Sequence, residues 1–167
     1  MRLVAVAALA PGCSLFLDFS DQAGVHDASI DGPYTVDECA YKEPNNTVDA
    51  PATITPGVDT GPAAICKQAP DAMGDDLDFY KFAVPGGTTK VTLTLTLSPD
   101  GGDLDLILYD PQGNLLGQSR GFSMTETLVC PGVSPACPSL PAGDYVFEVL
   151  PGKPGNLNNY TFNVALQ

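Results

Sequence analysis

The chain has 167 residues, with 20 acidic side chains against 7 basic ones and a net charge of −13. That length holds one well-buried core with tails and is short for two, and the charge would repel phosphate backbones and anionic lipid surfaces, so nucleic acid is not an expected partner. Charged residues make up only 16%, while glycine (17) and proline (16) are abundant, a mixture that favours many turns between short apolar strands over long helices or disorder.

Arg2 precedes the apolar run LVAVAALA, residues 3–10, which is too short to span a bilayer but has the length of a signal-peptide core. Export is the expectation. The stretch LAPGCS, with Gly12 just before Cys13, then resembles the lipobox of bacterial lipoproteins, although Ala10 and Pro11 stand where that family usually has leucine and a small residue. The resemblance implies lipidation at Cys13 and attachment to the cell envelope through the lipid alone; plain secretion is the alternative. On this reading residues 1–12 are a signal peptide, 13–35 a tether, and 36–167 the folded domain.

Setting Cys13 aside leaves Cys39, Cys66, Cys130 and Cys137, an even number in a chain expected to be exported. Two disulfides follow, with Cys39–Cys66 and Cys130–Cys137 favoured by proximity among three connectivities. Zinc is the rival, but there is no CxxC pair and the single histidine, His26, falls in the tether.

Proline and glycine are too frequent between residues 43 and 76 for a helix to propagate, and this stretch is expected to wrap over the surface as coil, pinned by Cys66. Strand signals dominate afterwards. DFYKFAV (78–84) ends in a Pro-Gly-Gly turn, and KVTLTLTL alternates Val91, Leu93, Leu95 and Leu97 with three threonines. In DLDLILYD the leucines 104, 106 and 108 share one face, with Asp103, Asp105, Ile107 and Tyr109 on the other; Asp103 and Asp105 are expected to be solvated at a strand start, where they discourage edge pairing. DPQGN closes a hairpin into LLGQS. TETLVC (125–130), DYVFEVL (144–150) and NYTFNVAL (159–166) complete a set of seven or eight strands, the pattern of an all-β antiparallel sandwich.

The order EPNN, DLDFYKFAVPGGTTKVTLTLT, GDLDLILYDPQGNLL and LPAGDYVFEVLPGKPGNLNNYTFNV resembles the bacterial pre-peptidase C-terminal (PPC) domain, a family similar to the collagen-binding domains of clostridial collagenases. The resemblance covers roughly residues 36–167 and implies a jelly-roll-like sandwich that is not itself an enzyme. It also points to a calcium site. In the collagenase-type relatives an acidic E-x-E-x-N-D run and a D-x-x-D pair hold Ca²⁺; here Glu43 and Asn45 match the first, Asp75 and Asp78 the second, while Tyr41 and Asn46 stand where acids would be. The amide oxygen of Asn46 can still coordinate, so the implied ligand set is Glu43, Asn45, Asn46, Asp75 and Asp78. The alternative makes EPNN a turn and the aspartates solvated loop acids.

Catalysis finds no support in the residues. His26 has no strand around it, and Asp103 with Asp105 lacks the aromatic cleft expected of a glycosidase in a chain with no tryptophan. Two functions stay open: an exported cell-envelope module binding a protein or polysaccharide surface, and an accessory domain aiding the stability or secretion of a separately encoded peptidase or other hydrolase. Exposed aromatics would favour the first, with Tyr41, Tyr80, Tyr109, Tyr145 and Tyr160 as candidates, although strand alternation makes core packing the commoner fate of each.

Overall fold

A computed structural model describes residues 36–67 and 76–167; Cys13, His26 and Asp75 lie outside them. The elements in chain order are one helical turn, α1 (Val36–Cys39), then β1 (Ala52–Thr53), β2 (Ala63–Ile65), β3 (Asp78–Val84), β4 (Val91–Leu97), β5 (Leu104–Tyr109), β6 (Leu115–Ser119), β7 (Thr125–Cys130), β8 (Gly132–Val133), β9 (Ala136–Cys137), β10 (Gly143–Pro151) and β11 (Asn158–Leu166). The first sheet runs β1-β3-β10-β5-β6 and the second β2-β11-β4-β7, with β8–β9 a separate small hairpin. The pairs are antiparallel except β1 with β3.

Setting aside β1 and the β8–β9 hairpin, the first main strand pairs with the last (β2–β11), the second with the second-last (β3–β10), then β4 with β7 and β5 with β6. This is a long hairpin rolled up on itself, with its two arms divided between two sheets: a jelly-roll sandwich. Period-two alternation decides which side chains meet in the middle. Val91, Leu93, Leu95 and Leu97 are buried and their threonine neighbours face outward; from the facing sheet come Leu104, Leu106 and Leu108. Aromatic rings join the two layers, Phe162 of the second sheet lying 4.7 Å from Tyr80 and 5.4 Å from Phe147 of the first between centroids. Disulfides Cys39–Cys66 and Cys130–Cys137 tie α1 to the end of β2 and the end of β7 to β9.

Two expectations need correction. The stretch from 43 to 76 is not all coil, because β2 completes the second sheet through pairs such as Ala64 with Asn159. All three of its residues are buried, so it lacks the alternation that marks a half-exposed strand, and it is too short to show by length. Nor is Asp105 solvated at an edge. Its strand is flanked by β10 on one side and β6 on the other, and the residue is 4% exposed with Arg120 3.7 Å away. Burial raises its pKa, opposed by the Arg120 charge.

Candidate metal centre

One end of the sandwich gathers α1, the loop after it and the head of β3. The chain turns at Lys42, a non-glycine residue with a φ of 58°, and Glu43 folds back so that its Oε2 accepts the backbone N–H of Asn45 at 2.8 Å. Asn45 in turn accepts the N–H of Phe79 at 2.9 Å through its backbone carbonyl, which fixes the loop to the start of β3. Asp76 accepts the N–H of Cys66 at 2.7 Å, so the Cys39–Cys66 bridge and the cluster brace one another.

The result brings Glu43, Asp76 and Asp78 together with carboxylate oxygens that all lie within 4.8 Å of one another. Asn45 is fully buried and Asp78 is 2% exposed. Burial therefore raises Asp78 well above the usual carboxylate range, and the charges of Asp76 and Glu43 add to it against the opposing hydrogen bond from Tyr160. Glu43 is raised too, by burial first, with the Asn45 N–H pulling the other way.

The asparagine amides complete the set. The Asn45 amide sits against both Glu43 oxygens and Asp78 Oδ1; turned nitrogen-inward it donates to them at 3.1, 3.0 and 3.2 Å. The Asn46 amide similarly meets Leu77 O at 2.8 Å and Asp76 Oδ1 at 2.9 Å. An amide turned the other way presents oxygen to the same point. Three carboxylates and two reversible amides make an oxygen-only donor set, which fits a hard cation such as Ca²⁺ and lacks the nitrogen and sulfur ligands of zinc.

Of the residues singled out from sequence, Glu43, Asn45, Asn46 and Asp78 meet here, and Asp75 lies outside the described residues. Asp76 takes part although the spacing argument passed over it. The signal was available: residues two apart in extended chain share a side, and Asp76 and Asp78 are two apart. Tyr41 does not join the carboxylates; its ring packs edge-on to Phe162 at 6.3 Å. Nor do the tyrosines form an exposed patch, since Tyr80, Tyr145 and Tyr160 are buried and Tyr41 and Tyr109 half-buried.

No family model and no curated protein matches the sequence. Among solved structures that are similar, one can be described. It is the pre-peptidase C-terminal domain of a collagenase from Bacillus anthracis, with a TM-score of 0.48 and 17% identity, covering 68% of this chain and 92% of that one. What the carboxylate cluster can do follows from its own residues.

Proposed function

We propose that this chain is a non-catalytic, exported interaction module whose sandwich is stabilised by calcium. The single observation that carries the calcium reading is the convergence of Glu43, Asp76 and Asp78 within 4.8 Å where the loop after α1 meets the head of β3. Glu43 and Asp78 are held there at a cost in pKa that a divalent cation would relieve. When bound, the cation would cross-link the loop after α1 to β3, with Asn45 and Asn46 turning their oxygens inward. Attachment through Cys13 belongs to the same proposal.

A non-catalytic role is supported by how the other buried carboxylates are used. Glu126 accepts bonds from Ser119, Gly121 and Ser123, and Glu148 accepts from Tyr109 at 2.6 Å. These groups are engaged in holding strands and loops.

The test is thermal unfolding of the oxidised protein in excess EGTA and again with millimolar Ca²⁺. At 100 times Kd the ion adds about 2.7 kcal/mol, which raises Tm by several degrees in a domain of this size. Glu43→Gln with Asp76→Asn is expected to abolish the shift. Coincident curves for the unaltered protein would remove calcium from the account.

A further inference from the structure

The two disulfides differ in where they lie and in how open they are. Cys130 and Cys137 are 1% and 5% exposed, at the end of the second sheet where Val91 pairs with Cys130. Cys39 and Cys66 are only half-buried. They sit at the opposite end of that sheet, where Glu38 accepts a bond from Asn159 at the start of β11 and where the carboxylate cluster lies. A thiol reductant therefore reaches the first bridge more readily than the second.

The first bridge also joins the chain segments that bring the carboxylates together. Cys39 ends α1, and Glu43 lies in the loop that follows. α1 is a single turn, too short to hold its shape alone, and the bridge helps to place it together with the bond from Asn159 Nδ2 to Glu38 at 2.8 Å. On the other side Cys66 follows β2 and donates its N–H to Asp76 at 2.7 Å. Cys39–Cys66 thus closes a loop with a sequence separation of 27, and Glu43 with Asp76, on sharing a cation, would close nearly the same one. Cross-links on one loop reinforce each other, because whichever forms first removes chain freedom that the second must otherwise give up.

We infer that Cys39–Cys66 is a redox gate on the carboxylate cluster: the oxidised bridge holds Glu43 and Asp76 ready for a divalent cation, and cation binding in turn protects that bridge, and not Cys130–Cys137, from thiol reductants. Reduction by a dithiol breaks the S–S bond, with two electrons and two protons passing to the cysteines while the dithiol becomes its own disulfide. The segments carrying Glu43 and Asp76 then lose their covalent link. Tight cation binding is thereby confined to surroundings in which disulfides persist. The inference rests on the calcium reading, and because coupling between two sites is reciprocal, one factor describes both directions.

The test equilibrates the full-length oxidised protein with increasing dithiothreitol, in EGTA and in millimolar Ca²⁺ at equal ionic strength. Free thiols are then alkylated and each cysteine is read by mass spectrometry. In EGTA, Cys39 and Cys66 should open together at lower dithiothreitol than Cys130 and Cys137. Calcium should raise the concentration that half-opens Cys39–Cys66 by about fivefold or more and leave that for Cys130–Cys137 unchanged. At a dithiothreitol concentration that opens the first bridge alone, the Ca²⁺ needed for half of the Tm shift should rise by the same factor. Asp76→Asn keeps an acceptor for the Cys66 N–H but loses a carboxylate, and should remove the protection. If Ca²⁺ raises Tm while Cys39–Cys66 opens at the same dithiothreitol with and without it, or if both bridges are protected equally, this inference is overturned and the calcium reading stands. Absence of any Tm shift in the oxidised protein would remove both.

Discussion

The phenol of Tyr160, on β11 of the second sheet, donates to Asp78 at the head of β3 in the first, and Tyr80 lies 2.8 Å from the same hydroxyl. A buried carboxylate is thus held across the gap between two layers by a tyrosine pair. Tyr160→Phe removes the direct donor and leaves Asp78 to bear its burial with less help. The expected loss is about 1–3 kcal/mol in a urea titration at pH 7. Tyr80→Phe should cost less, because Tyr80 acts on Asp78 through Tyr160. Equal stabilities for the Tyr160→Phe variant and the unaltered protein would mean the bond contributes nothing.

The raised carboxylates set a direction for pH dependence. In the unfolded chain Asp78 and Glu43 titrate near about pH 4, and in the folded protein both titrate higher. Above about pH 4 the folded state therefore binds more protons than the unfolded state, so stability falls as pH rises through the folded values. Asp103, Asp105 and Glu148, raised by burial, act in the same sense, while the exposed and lowered Asp59 and Asp110 oppose it. In metal-free buffer Tm is expected to decline between about pH 4.5 and 7. Asp78→Asn should flatten that decline and millimolar Ca²⁺ should offset it. A Tm that climbs across this range would contradict the account of Asp78.

The two disulfides should differ in what they stabilise. Cys39–Cys66 spans 27 residues and Cys130–Cys137 spans 7. Chain entropy gives the longer loop about 3.5 kcal/mol and the shorter about 2.4. Replacing both cysteines of the first pair by serine should lower the urea midpoint more. It should also weaken any Ca²⁺ response, because Asp76 is tied to the backbone of Cys66. Replacing the second pair should leave that response intact.

How much of this was legible in the sequence depends on the physics each element obeys. The strands β3, β4, β7 and β11 were plain because one face is dry and the other wet, which imprints a period of two on Val91 to Leu97 and on Tyr160 to Val164. β2 left no such imprint, since Ala63, Ala64 and Ile65 are all buried. Alternation also separates faces without saying what lies beyond them, which is why Asp105 read as solvated when Arg120 stands beside it. For the carboxylate cluster, Glu43 and Asp78 were visible as residue types in the right order. Their meeting depends on a backbone bond from Phe79 to Asn45, and no local pattern encodes that.

The rolled-up pairing of β2 with β11 has a further consequence, for the order of assembly. Ala63–Ile65 waits for partners almost a hundred residues downstream, at Asn158–Tyr160. A chain emerging from its N-terminus therefore carries its early apolar strands without a complete second sheet until the last strand is available. Such long-range pairing makes folding slow, and it leaves unpaired edges exposed to other chains in the meantime.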